Sequence, residues 1–146
     1  MNIKTFSDVA VSANPTRWYE RTAVQVLTCM LLIFGGFLLA LNLQDRGAAM
    51  LGIDSAQAMG LYVDAQNALL ICASLALVAM LAFLWVNHRR HQRSVSVYID
   101  YLATLGTTRM QWVALSPEMD STSRSVAANY LNRTWPGWSK FLLPTA

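Results

Sequence analysis

The sequence predicts an all-α membrane protein: a two-transmembrane-helix hairpin with cytoplasmic amphipathic and interfacial helices. Three observations carry that prediction. First, Thr22–Gln44 and Ala65–Asn87 contain no charged residue. Second, the chain is 55% hydrophobic and only 13% charged, whereas a soluble domain carries roughly 25% charged residues. Third, the apolar residues sit in long blocks, "TAVQVLTCMLLIFGGFLLALNL" and "ALLICASLALVAMLAFLWV", without strand-like alternation. A helix needs about 20 apolar residues to cross the hydrocarbon core. Only helices and closed barrels satisfy their backbone hydrogen bonds in lipid.

The predicted order is a cytoplasmic N-terminal tail (1–21), a first span (22–44), and a short acidic external connection that is partly helical (45–64). A second span (65–87) and a basic cytoplasmic tail with interfacial helices (88–146) follow. The first span is expected to act as an anchor rather than a cleaved signal, because its apolar run is too long and a tail of about 21 residues precedes it. Orientation follows the basic residues. Lys4, Arg17 and Arg21 precede the first span, and seven Lys or Arg side chains follow the second, but the connection holds only Arg46 beside Asp45, Asp54 and Asp64. Lysine and arginine are retained on the cytoplasmic side. Both termini are therefore expected in the cytoplasm, with the protein in the bacterial inner membrane.

Trp18 and Tyr19, flanked by Arg17 and Arg21, read as interface anchors, since Trp and Tyr favour the head-group zone. In the first span Gly35, Gly36 and Ala40 make a small face. In the second, Ala68, Cys72 and Ala76 recur at a spacing of four, and Ala79 continues the groove. Small residues so spaced let helix backbones approach closely in lipid. Cys29 and Cys72 come out roughly 11 Å apart along the membrane normal from the helical rise. A disulfide needs Cα atoms within about 7 Å, so two free, buried thiols are expected.

"NHRRHQR" at 87–93 closes the second span. His88 and His91 lie three apart, but a metal would need a further ligand and the neighbouring arginines would repel it. Arg89, Arg90 and Arg93, with Lys140 near the C-terminus, fit topology and anionic lipid head groups better, at about 1 kcal/mol per basic residue near the surface. An acidic partner surface ranks next.

Asp54 is placed to cap a helix. One reading therefore makes the second span a single long helix that begins well outside the bilayer. The alternative lays 47–62 flat at the interface. In the tail, Tyr98, Leu102 and Leu105 share a helical face, and "LGTT" around Gly106 suggests a break. "SPEMD" then reads as a helix start with Ser116 as N-cap and Pro117 at the first position. That helix is expected to place Val126, Ala127, Tyr130 and Leu131 on its apolar side and to end at "WPG" (135–137). Trp135, Trp138 and Lys140, followed by Phe141, Leu142 and Leu143, read as a further interface anchor. About 50 residues with so few apolar contacts are not expected to build a core alone, so the tail should lie on the membrane or on a neighbour. "NRT" at 132–134 falls on the cytoplasmic side, and "NPT" at 14–16 is excluded as a glycosylation site by its proline.

No phosphate-binding glycine loop, GxSxG or HExxH occurs, and no acid–base pair is set for catalysis. No enzyme activity, cofactor, metal or nucleic-acid partner is expected. The favoured function is a non-catalytic assembly subunit of a larger inner-membrane complex, of the secretion or conjugation type or the respiratory or photosynthetic type. Its partners would be other membrane subunits or copies of itself, as an oligomer or filament, and anionic lipids. The alternatives are a holin-like or channel-like pore, disfavoured because no polar face lines the spans, and a small membrane enzyme or quinone-reactive subunit.

Overall fold

A computed structural model describes residues 3–13 and 15–141. No strand occurs among them. The helices are α1 (Phe6–Ala13), α2 (Thr22–Met50), α3 (Ser55–Leu105), α4 (Thr107–Leu115) and α5 (Ser121–Thr134). Short 3-10 turns cover Trp18–Glu20 and Trp138–Phe141. The expected apolar end at Leu142 and Leu143, and Asn14 of "NPT", lie outside the described residues.

The chain divides into two compact units, Arg17–Asn87 and the terminal segments 1–16 with 88–146. Helix α3 contributes to both. In the first unit, α2 and α3 are each long and apolar enough to cross a membrane. Asp54 caps α3 as its side chain type predicts: its Oδ1 accepts from the amides of Ala56 (3.0 Å) and Gln57 (3.2 Å). The connection is thus a four-residue turn, 51–54, between two helices, and the long-helix reading of the second span holds for the backbone. Residues 47–62 do not form a separate flat segment.

The less exposed positions of α3 in this unit recur at three and four: Ala58, Leu61 and Tyr62, Ala65, Ala68, Cys72, Ala76, Ala79, Phe83 and Val86. An average near 3.5 keeps one seam facing a neighbouring helix. The seam is small enough for close approach. Ala58 and Ala65 are fully covered, and Gly36, Ala40 and Gly47 on α2 are buried. Outside it, Leu31, Phe34, Leu38, Leu70 and Val78 are among many large apolar side chains left exposed.

The terminal segments form the second unit, around Val9, Tyr98, Leu102, Met110, Val113, Met119, Ala127, Leu131 and Trp138. Tyr98 and Leu102 form the expected face, with Leu105 packed against it. The tail therefore does build a core, because α1 supplies apolar surface that the tail lacks by itself: Val9 is buried and Phe6 packs on the cluster. Gly106 takes a positive φ of 94°, a conformation glycine adopts at little cost, and turns the chain from α3 into α4.

The expected start of α5 is corrected. Ser116 is the C-cap of α4, its amide bonding the carbonyl of Trp112 at 2.8 Å, and residues 117–120 form a turn. Asp120 is the N-cap: its carboxylate accepts from the Ser123 amide at 3.1 Å and from the Ser123 hydroxyl. Two cap signals compete here, and the later one wins because the intervening turn puts Met119 into the core.

Candidate functional site

Three places in the molecule join residues distant in sequence. The first is the seam between α2 and α3. Gly36 is buried, and a Cβ added to it would lie 2.5 Å from Cys72 Cβ and 2.9 Å from its Sγ. Glycine is thus required by contact. At Gly47 a Cβ would meet the Ala58 carbonyl and Tyr62 at 3.4 Å. Partner numbers fall on α3 as they rise on α2. Of the expected packing residues, Gly36, Ala40 and Ala76 are buried, Ala68 and Cys72 are half-buried, and Gly35 faces open space. Gly35 is off the seam because it is the immediate neighbour of Gly36. Adjacent residues point about 100° apart around a helix of 3.6 residues per turn, so only one of the two glycines meets the partner. Gly47, Ala58 and Ala65 extend the seam beyond the residues singled out from the sequence. Gly47 and Ala58 lie outside the charge-free runs 22–44 and 65–87 that Asp45, Arg46 and Asp64 delimit, and Ala65, the first residue of the second run, continues the same period without having been singled out.

Cys29 and Cys72 are free, as expected, yet each is half-exposed rather than buried. Cys72 sits opposite Gly36, and Cys29 precedes Gly36 by two helical turns, about 10 Å of rise.

The second place is an amide clamp. Gln25, 6% exposed, donates to Asn87 Oδ1 (3.2 Å) and accepts from Asn87 Nδ2 (3.1 Å). Its Nε2 also donates to the Tyr19 carbonyl at 3.1 Å. Gln25 is the buried partner and Asn87 the exposed one, so the pairing keeps the Gln25 amide from being a costly unpaired polar group. The clamp holds the turn containing Trp18 and Tyr19 against α2. Trp18 is exposed and packs edge-on against Tyr19. The Tyr19 hydroxyl accepts from Arg17 at 2.9 Å and holds the guanidinium above its ordinary pKa. Within α2 and α3 the hydroxyls of Thr28 and Ser74 bond the carbonyls of Val24 and Leu70, one turn back.

The third place is the terminal unit. Thr5 and Asp8 cap α1 reciprocally: the Thr5 amide donates to Asp8 Oδ2 (3.1 Å), and the Asp8 amide donates to Thr5 Oγ1 (3.4 Å). The Thr5 hydroxyl also donates to the carboxylate at 2.7 Å. The bonds that Thr5 donates, the side-chain one first, hold the Asp8 carboxyl below its usual range. The arm is held on the tail through its backbone. The Lys4 amide donates to the Tyr101 hydroxyl (3.1 Å), the Tyr98 hydroxyl donates to the Lys4 carbonyl (3.4 Å), and the Phe6 amide donates to Ser123 Oγ (2.8 Å). Phe6 packs edge-on against Tyr98 and tilted against His91. Burial pushes the Tyr98 phenol up. Sequence reasoning missed this docking entirely; the signal was the "TxxD" cap at residues 5–8 around an apolar Phe6, Val9 pair.

The basic block has two exposed arginines, Arg89 and Arg93, and a half-buried Arg90; Lys140 is exposed. His88 bonds Gln92 at 2.9 Å while His91 meets Phe6, so the two imidazoles serve different contacts. Among the described residues no cluster of three or more His, Cys, Asp or Glu could hold a metal. Trp135 is exposed and stacks on Phe141. Trp138 is corrected from surface anchor to core residue: it is 5% exposed, and its indole donates to Asn132 Oδ1 at 2.7 Å.

Beside the core, α3 and α5 form the two walls of an open groove of about 610 Å³. No family model matches the chain, and no curated protein or solved structure is significantly similar to it.

Proposed function

We propose that the protein is a non-catalytic subunit of a bacterial inner-membrane assembly, anchored by an α2–α3 hairpin, with both termini in the cytoplasm. The observation that carries this reading is the register of the seam. Gln25 pairs with Asn87, Gly36 with Cys72, and Gly47 with Ala58 to Tyr62. That register sets the two charge-free runs level with each other, as two spans of one bilayer must be. The exposed leucines and phenylalanines outside the seam then meet lipid or a partner's helices. The arm of residues 3–13 is docked on the tail, which two spans allow and one or three would not. The basic residues before and after the spans favour a cytoplasmic location for that unit. Arg89, Arg90, Arg93 and Lys140 would meet anionic head groups, with Trp18, Tyr19 and Trp135 at the interface.

A tagged copy extracted from its host in a gentle detergent tests the reading by mass spectrometry of co-purifying proteins. Defined partners at fixed stoichiometry are expected. A lone monomer would overturn it, and leakage of dye from vesicles holding only this protein would favour a pore.

A further inference from the structure

We infer that the groove between α3 and α5 docks an acidic amphipathic helix of another polypeptide. This rests on the assembly-subunit reading above and names the partner's chemistry. The groove is lined at helical spacing on both walls. His91, Val95 and Ile99 lie on α3 four residues apart, and a continuous face of α5 runs from Ser121 to Arg133. At 1.5 Å per residue that face is about 18 Å long, more than three helical turns. Val95, Ile99, Val126 and Tyr130 are half-buried and make an apolar floor. Ser125 and its neighbours on the rim are short and exposed, so a helix backbone can come close. Such a floor with polar edges is how a groove receives an amphipathic helix.

Charge selects the occupant. Arg133 and the imidazole of His91 line the groove, and no carboxylate does among the described residues. A partner helix therefore gains by placing a carboxylate opposite Arg133, and a basic one is repelled. Among the described residues the chain offers no free helix of this kind for a second copy to use: the stretch of α3 that bears the exposed Asp100 already spends its apolar face, Tyr98 and Leu102, on the core. Helix α1 is already seated on the core, and α4 carries Arg109 without an acid. Asp45, Asp54 and Asp64 belong to the other side of the membrane in the topology proposed above.

The test places a photoreactive benzophenone side chain at Ser125 of the full-length protein in its native membrane. Adducts are sequenced. The expected product joins position 125 to a different protein, within a segment bearing a carboxylate on one helical face. Arg133→Glu should lower the adduct yield at least about fivefold, and reversing that carboxylate to arginine in the partner should restore it. Arg133 is exposed but lies in the last turn of α5, where an acid costs up to about 1 kcal/mol, so the variant should stay folded with a slightly lowered melting temperature; Arg133→Gln serves as the milder form. An adduct with lipid, with a second copy of this chain, or with a segment lacking acids would overturn the inference. No adduct, with the chain still held in a larger assembly, would overturn the groove and leave the subunit reading standing. No adduct and a lone monomer would remove both.

Discussion

Replacing Gly36 with alanine places a methyl group 2.5 Å from Cys72 Cβ. Carbon atoms rest at about 3.5–4.0 Å, so α2 and α3 must separate by at least about 1 Å at this level. The seam is made of small residues, which cannot extend to refill the gap, and packing is lost at Ala40 and Ala76 as well. Overpacking of this kind costs about 1–3 kcal/mol. Unfolding in mixed detergent micelles, followed by circular dichroism, reads the loss. The contact itself is isolated by a second substitution: Cys72→Gly removes both the Cβ and the Sγ that the new methyl meets. In Gly36→Ala with Cys72→Gly, the double variant should recover at least about 1 kcal/mol relative to additivity, within the range found for residues in contact. Gly35→Ala is the control. It faces open space, so it should be neutral or slightly stabilising, since glycine is the poorer helix former. A neutral Gly36→Ala, or a double variant that is simply additive, would refute the close approach.

Asn87→Leu should destabilise the same unit by about 1 kcal/mol by leaving the buried Gln25 carbonyl oxygen without its donor, with the Gln25→Leu and Asn87→Leu double variant costing less than the sum; the same unfolding assay reads both. Phe6→Ala should weaken docking of the N-terminal arm by about 1–3 kcal/mol, since the ring is half-buried rather than enclosed, and faster amide exchange over residues 6–13 would record it. The Asp8 carboxyl is depressed in the folded state. Its contribution to α1 is therefore present above the unfolded carboxyl range and lost as pH falls through the folded value; exchange in α1 should rise on acidification in the native chain and not in Asp8→Asn. Tyr98 shifts the other way. Its raised phenol contributes stability that is fully present below the unfolded value near about 10 and is lost as pH rises through the folded one, so alkaline melting of the terminal unit should be delayed in Tyr98→Phe.

Much of the fold was legible because its signals are local or periodic. The charge-free runs, the Asp54 cap, the Gly106 break and the Tyr98–Leu102 face each follow from neighbouring residues. The small-residue seam was legible in period but not in extent. What the sequence hid is the pairing of remote segments. The Thr5–Asp8 cap announces α1, but nothing near it says that Phe6 meets Tyr98 and His91, because docking of an eight-residue helix is decided by the partner surface. Trp138 was misplaced for the same reason: a tryptophan beside a lysine reads as an interface anchor until Asn132, six residues back, is found bonding its indole. The start of α5 was placed too early because Ser116 followed by Pro117 is a good start signature, and the burial of Met119 in the core shows that a turn intervenes and Asp120 caps the helix instead.

In the topology proposed above, a membrane hairpin keeps both terminal segments on the cytoplasmic side. Labelling with a membrane-impermeant maleimide tests it most directly, using single cysteines at Ser7, Ser55 and Ser139 in a chain with Cys29→Ala and Cys72→Ala. Position 55 should react in intact spheroplasts, and positions 7 and 139 only after the membrane is opened. Labelling of 7 and 139 in intact spheroplasts, or of all three alike, would contradict it.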